Sequence, residues 1–249
     1  MKNTLKFLLQ KVLGYEKYLY FFSLYVIQRL PKLKNEKEFL FFRDMISGNG
    51  LILDIGANIG AMTYHLAKTH PNNEIHSFEP IDENLKTIKK IIARKRLSNV
   101  FLHKIALGEK NDNCEFIIPI VKNVKMQGLC HVKHESIDDY NKGKSIVIPM
   151  RSLDSLELVK TKSVLAIKID VENYEYHTFK GGEKTIKRDK PIIYCELWDN
   201  ENRNKCFKLM NEYAYDIKIL MNTSLIDFDS NKHKTQNFFF IPKKSPLRK

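Results

Sequence analysis

Leu51-Ile52-Leu53-Asp54-Ile55-Gly56-Ala57-Asn58-Ile59-Gly60-Ala61-Met62-Thr63 begins as a short apolar run, closes on an acid, turns through two glycines and continues as a helical stretch. Such a run reads as a buried strand, and the pattern after it as a strand–turn–helix unit of an α/β sheet. Gly56 and Gly60 let the backbone turn tightly and let a ligand approach it closely. Their spacing is Gly-x-x-x-Gly and differs from the Gly-x-Gly-x-x-Gly fingerprint, whose second glycine admits a pyrophosphate to the helix N-terminus. Asn58 stands in the loop, and Asp54 sets a carboxylate at the strand end. An acid there repels a pyrophosphate and suits a ligand that carries an ammonium group, such as the amino-acid part of S-adenosylmethionine. That spacing and Asp54 disfavour a dinucleotide oxidoreductase.

Working outward, the next apolar run ends His76-Ser77-Phe78-Glu79-Pro80, with Glu79 lying 25 residues after Asp54. An acid at the tip of the second strand can accept hydrogen bonds from ribose hydroxyls. From Gly50 onward, short β-rich runs alternate with helical stretches, the signature of a parallel sheet with crossover helices. The expected strands cover 51–54, 74–79, 100–107, 164–170 and 192–197. Residues 111–150 differ in character: 114–121 and 146–150 read as strands around a polar, His- and Asp-rich stretch, so an insertion or lid is expected there. Runs at 215–220 and 237–241 are expected to close the sheet as an antiparallel hairpin, and 242–249 forms a basic tail.

A second acidic group follows Val164-Leu165-Ala166-Ile167-Lys168-Ile169-Asp170-Val171-Glu172-Asn173-Tyr174-Glu175, a buried strand that finishes in three acids. Open α/β sheets bind ligands outside the carboxyl ends of their strands, which puts Asp170 and Glu172 beside the crevice. Glu196 and Asp199 end the following strand in the same manner. These acids can act as a general base toward a hydroxyl, ligate a hard divalent cation, or pair with Lys168 and other structural cations. For Glu175, in the first turn of an expected helix, a structural role is favoured.

Taken together, Asp54-Ile55-Gly56-Ala57-Asn58-Ile59-Gly60, Phe78-Glu79-Pro80, Ala106-Leu107-Gly108, Ser152-Leu153-Asp154-Ser155-Leu156, Lys168-Ile169-Asp170-Val171-Glu172 and Glu196 resemble, in this order, the FkbM-type methyltransferase family. The resemblance spans about residues 50–200, and the Asp54–Gly60 loop combined with Asp170-Val171-Glu172 is its specific part. It implies a Rossmann-like, seven-stranded, mostly parallel methyltransferase sheet with S-adenosylmethionine as methyl donor. Cofactor contacts are then expected from Asp54, Gly56, Asn58, Gly60, Glu79 and Ala106. It also implies O-methylation, often of a sugar or polyketide hydroxyl. Where the family pattern usually has Gly after Asp-Val-Glu, this chain has Asn173, a residue that tolerates left-handed backbone.

Ahead of the sheet, residues 1–48 read as a helical extension, and 49–241 as the methyltransferase domain. Lys2 to Leu9 briefly resembles a signal peptide, but Lys11, Glu16 and Lys17 interrupt it and no small-residue cleavage site follows. Tyr18 to Ile27 is too short for a bilayer, which needs ~20 apolar residues. It reads as a buried helix, a dimer face, or an interfacial helix with Lys17 and Arg29 at its ends. The chain's 42 Lys and Arg against 29 Asp and Glu give a formal charge of +13, while 43% hydrophobic residues exclude an intrinsically disordered chain. No basic block alternates with aromatics as a nucleic-acid stacking groove would require. Because acids gather at the expected catalytic edge, the excess cations belong to the outer surface, where an anionic membrane or a phosphorylated carrier could meet them. Cys114, Cys130, Cys195 and Cys206 form no CxxC pair, which reads as reduced thiols in a cytoplasmic protein.

Methyl transfer from a sulfonium is an in-line displacement that needs the acceptor oxygen held in place and its proton removed. Asp170 or Glu172 is expected to take that proton, with or without a Mg²⁺ ligated by Asp170 and Glu196. His131 and His134, in the expected lid, are further candidates, set against their reading as polar loop residues. The expected activity is O-methylation of a saccharide or lipid-linked glycan. The alternatives are a nucleic-acid methyltransferase and a catalytically silent cofactor-binding adaptor that contacts a membrane, or a second copy, through its N-terminal helices.

Overall fold

The computed structural model describes residues 2–33, 36–121, 124–125, 127–133 and 142–243. Three helices come first: α1 (Lys2–Leu13), α2 (Tyr15–Arg29) and α3 (Lys37–Met45). Then β1 (Leu51–Ile55), α4 (Ala61–Thr69), β2 (Glu74–Phe78), α5 (Asp82–Lys95) and β3 (Val100–His103) build one half of a sheet. The segment after it carries β4 (Ala106–Leu107), β5 (Asp112–Val121), β6 (Val124–Lys125), β7 (His131–Val132) and β8 (Gly143–Arg151). The other half follows as α6 (Glu157–Thr161), β9 (Val164–Ile169), α7 (Glu175–Gly181), α8 (Glu183–Asp189), β10 (Ile192–Glu196), α9 (Glu201–Glu212), β11 (Tyr215–Met221), β12 (Ser224–Asp227) and β13 (Asn237–Pro242).

Among the described residues the main sheet has the order β12-β11-β13-β10-β9-β1-β2-β3, parallel from β10 to β3. It is the expected α/β sheet, with the short β12 added at its outer edge. The C-terminal runs do pair antiparallel, Ile217 opposite Phe240, but β13 inserts between β10 and β11, and the tight hairpin joins β11 to β12. The expected single strand over 100–107 divides in two: β3 pairs with β2, and past Lys104 and Ile105 the short β4 leaves for a second sheet ordered β4-β8-β5-β6, with β7 also on β5. Residues 111–150 are thus a strand-built layer as far as they are described.

Strand alternation divides the core into two faces. Leu53, Ile55, Ile167, Ile169, Phe238 and Phe240 pack with Phe179, Ile186, Cys206 and Met210 of α7 to α9. Ile52, Ala166, Tyr194 and Phe239 turn to the opposite face, where α3 supplies Phe39 and Phe42, α2 supplies Ile27 and α4 supplies Leu66. Phe42 stacks on the Tyr194 ring at 5.6 Å. Helices α2 and α3 therefore join α4 in one of the layers that sandwich the sheet. Each fully buried phenylalanine contributes about 1.5–3 kcal/mol.

Candidate active site

At the carboxyl end of β1 the turn is pinned by geometry that only small or left-handed residues allow. Gly56 has φ 77°, and a Cβ on it would collide with the Asp170 carbonyl oxygen. Gly60, φ 78°, opens α4 and packs on Ile88, whose Cγ1 would lie 2.9 Å from an added Cβ. Asn58 also takes a positive φ, 50°, as Asn does more readily than most residues. The N–H groups of Gly56 and Ala57 both donate to the Phe78 carbonyl at 3.1 Å, tying the turn to the end of β2.

Glu79, one residue past β2, is buried and accepts from the Asn58 N–H (2.8 Å), the Ile81 N–H (2.9 Å) and the Asn84 amide (3.2 Å). Burial raises its pKa to about 7 against those hydrogen bonds. Each carboxylate oxygen can accept two bonds, so its Oε2, with the Asn58 N–H alone among these, keeps acceptor capacity.

Asp54 behaves differently from the expectation that it meets the ligand. It is wholly buried, accepts from Thr63 Oγ1 at 2.6 Å and lies 3.4 Å from the Lys168 ammonium. It is not among the residues that line the cavity. The cause is the sheet: β9 pairs with β1, and the Asp54 carboxylate points at the Lys168 cation of that neighbouring strand. Lys168 also donates to the Gly56 carbonyl (2.8 Å) and faces Asp170 at 3.8 Å. Burial disfavours its charge, but Asp54 and Asp170 outweigh it and hold the ammonium pKa above its ordinary value.

After β9 the chain turns sharply through Glu172 (φ 54°) and Asn173 (φ 73°), so Asn173 does take the left-handed backbone expected of it. Glu175 organises this turn: its Oε1 accepts from the N–H groups of Val171 (3.2 Å) and Asn173 (3.1 Å), and its Oε2 from the Asn202 amide (3.2 Å). Burial raises it to about 8. Glu172 is pushed up to about 9 by burial and by the Asp170, Glu196 and Glu175 carboxylates. Glu196, at the end of β10, is also raised, by burial first and then by Asp170.

These strand ends open onto a cleft lined by Gly56, Asn58, Glu79, Ala106, Asp170 and Glu172, together with Asn84, Cys130 and Tyr174. Gly60 shapes the turn from behind. Asn84, Cys130 and Tyr174 are among the lining residues that the motifs did not point to. Asn84 lies on α5, and only the packing of α5 against the tip of β2 brings it to Glu79. The second sheet roofs the cleft through Phe116 and Val132.

His131 does not belong to the site. Cys130 and Val132 line the cleft, so alternation along the strand turns His131 to the other face, where it is buried with Nδ1 2.9 Å from the Leu129 carbonyl oxygen. His134 lies outside the described residues. The Mg²⁺ expectation at Asp170 and Glu196 finds no support either: among the described residues no group of three His, Cys, Asp or Glu is placed to hold a metal ion. The cation beside Asp170 is the Lys168 ammonium.

A nucleoside with a charged amino-acid end fits what the cleft leaves open. Asn58 Oδ1 and Asn84 Oδ1 are buried acceptors with no hydrogen-bond partner among the described residues, a costly state that a ligand's N–H or O–H groups would relieve. With Glu79 Oε2 they give three acceptors along one wall of the cleft.

The methyltransferase FkbM domain model matches residues 54–223. A methyltransferase FkbM of Methylobacillus flagellatus has a similar fold, with a TM-score of 0.53 at 16% sequence identity, over 85% of this chain and 47% of that one. This chain thus spans about half the length of that relative. A SAM-dependent O-methyltransferase of Thermotoga maritima gives a TM-score of 0.46 at 11% identity, over 90% of this chain and 73% of that one. An rRNA methylase of Streptococcus thermophilus gives 0.46 at 11% identity, over 84% and 96%. No curated protein matches the chain.

Proposed function

Because this chain belongs to the FkbM methyltransferase family, we propose that it transfers a methyl group from S-adenosylmethionine to a hydroxyl oxygen of a saccharide or glycoconjugate. The observation that carries the donor's identity is the wall of unsatisfied acceptors, Asn58 Oδ1, Asn84 Oδ1 and the spare capacity of Glu79 Oε2, at the carboxyl ends of β1 and β2. Glu79 takes the ribose hydroxyls, and the two amides take the donor's remaining N–H groups. When bound, S-adenosylmethionine supplies an electrophilic methyl group on a sulfonium centre.

The chain's own residues then have to hold a hydroxyl in line and remove its proton. Asp170 suits the second task. Its side chain is 34% exposed and reaches the cleft, while the Lys168 ammonium behind it, fixed by Asp54, holds it in position. Glu172, raised to about 9, keeps its proton at neutral pH and so donates a hydrogen bond to the acceptor oxygen while Asp170 receives the proton. Asp54 and Glu175 are positioning residues in this scheme: one sets Lys168, the other shapes the turn that presents Asp170 and Glu172.

The test has two arms. Titration calorimetry with S-adenosylhomocysteine is expected to show binding to the native chain and its loss in Glu79→Ala. Incubation of the enzyme and labelled donor with cellular glycans and glycolipids is expected to add the mass of one CH₂ to a saccharide. Absence of binding by the folded chain, or a product methylated on nucleic acid or on nitrogen, overturns the reading.

A further inference from the structure

The N-terminal hairpin carries apolar side chains that no other part of the chain covers among the described residues. Val12 of α1 is 80% exposed, and Phe21 and Tyr25 of α2 are 54% and 57% exposed. On α2 these aromatics belong to one stripe at spacing four, Lys17, Phe21, Tyr25 and Arg29, with a cation at each end. At 1.5 Å per residue the stripe is ~18 Å long, two rings flanked by two positive charges. The same two rings, with Leu9, Leu13 and Phe22, line an open apolar groove between α1 and α2, with Lys6 in its lining.

The inner face is fixed. Tyr18 and Leu19 pack on Ile59 of the β1–α4 turn, and Ser23 Oγ donates to the Ile59 carbonyl at 2.8 Å. Tyr15 lies close enough to Cys130, in the lining of the cleft, for that thiol to help burial raise its phenol. The hairpin is thus a rigid neighbour of the active-site cleft, and whatever it rests on is held near that cleft.

Charge decides the occupant. Residues 1–33 contain Lys2, Lys6, Lys11, Lys17, Arg29 and Lys32 against the single acid Glu16, which is already paired with Lys86 at 2.6 Å. A second copy aligned along the stripe, parallel or antiparallel, would bring Lys17 and Arg29 against the same cations. An anionic lipid surface neutralises both ends and takes up the exposed rings at headgroup depth. No helix among the described residues is long and apolar enough to cross a membrane, so the contact is one that lies on the surface.

We propose that the α1–α2 hairpin docks this protein on an anionic lipid bilayer, with Phe21 and Tyr25 entering the interface and Lys17 and Arg29 set against lipid phosphates. The inference stands apart from the methyl-transfer reading, because vesicle binding needs neither donor nor acceptor.

The test is co-sedimentation of the full chain with vesicles of phosphatidylcholine alone and of phosphatidylcholine mixed with phosphatidylglycerol. Binding to the mixed vesicles and its weakening by salt are expected. Lys17→Glu with Arg29→Glu should weaken it about tenfold or more. Phe21→Ser with Tyr25→Ser, both exposed positions, should weaken it comparably while the melting temperature and S-adenosylhomocysteine binding stay unchanged. Absence of binding at low salt, or binding untouched by the two aromatic substitutions, overturns the proposal. So does a concentration-dependent dimer of the native chain that Phe21→Ser abolishes. Failure of the methyl-transfer reading would show instead as lost S-adenosylhomocysteine binding, with vesicle binding intact.

Discussion

Asp54 and Asp170 sit on neighbouring parallel strands and face the same ammonium, Lys168, at 3.4 and 3.8 Å. One is sealed: its side chain is 0% exposed and Thr63 closes it from the side of α4. The other is 34% exposed and opens on the cleft. The backbone after each residue accounts for the difference. After Asp54 the chain folds over its own strand end into α4, whereas after Asp170 two consecutive residues at positive φ swing it aside and leave the carboxylate uncovered. A shared cation and a shared residue type thus serve structure on one side and, in the proposed mechanism, proton transfer on the other.

The sharpest way to break this pairing is to neutralise each acid in turn. Asp170→Asn keeps volume and fold, and turnover is expected to fall by about 10²–10⁴-fold with S-adenosylhomocysteine affinity retained. Initial rates alongside calorimetry check it, and near-native turnover would falsify the assignment of the base. Asp54→Ala should act on the fold instead. It strips a buried lysine of its nearest carboxylate, for which about 3–5 kcal/mol is expected. For a chain of this size that is roughly 10 °C or more in melting temperature. A folded Asp54→Ala variant of native stability that had lost the ligand would instead make Asp54 a contact residue.

The acids around the open side should also make stability depend on pH. Glu79, Glu175 and Glu172 are raised to about 7, 8 and 9, so the folded chain holds protons that the unfolded chain has released above its ordinary carboxylate range. Their contribution is present at low pH and is lost as pH rises through the folded values. His103, lowered to about 4, works the other way, but only up to the ordinary histidine range. Between about pH 7 and 9 the melting temperature is therefore expected to decline, by roughly 3–5 °C per pH unit for each proton still held. Calorimetric scans across that window check it, and a flat profile would mean that these carboxylates are ionised in the folded protein.

Much of the open side was legible in the sequence, because strand ends, glycines and acids are local signals. Gly56, Asn58, Glu79, Ala106, Asp170 and Glu172 all reach the cleft. The sealed side was half legible. A lysine between Ile167 and Ile169 in a buried strand demands a counter-charge, and Asp54 was the acid in register with it, but only the sheet pairing Asp54↔Lys168 joins them. His131 could be placed neither in nor out of the cleft, because a two-residue strand gives no periodicity from which to choose a face. Asn84 gave no signal, since its place depends on how α5 packs against β2. The split of β3 from β4 is equally non-local: it is set by β8, some forty residues further on, pairing with Ala106 and Leu107.

The smallest effect bears on the turn that keeps Asp170 uncovered. Asn173 combines a φ of 73° with a hydrogen bond from the Asn200 amide to its Oδ1 at 2.9 Å, and Asn200 in turn caps α9 by accepting from the Asn202 and Arg203 N–H groups. Asn173→Gly relieves the backbone by roughly 1 kcal/mol and forfeits a bond worth about the same. The stability change is expected to stay within about 1 kcal/mol. Asn173→Ala forfeits the bond and keeps the strain, so it should be less stable than the glycine variant by about 1 kcal/mol, read as a melting-temperature difference of roughly 2–4 °C. Equal melting temperatures for the two variants would mean that the left-handed backbone costs nothing here. Asp170 would then be kept open by Glu175 and its hydrogen bonds to Val171 and Asn173, and not by the conformation of the turn itself.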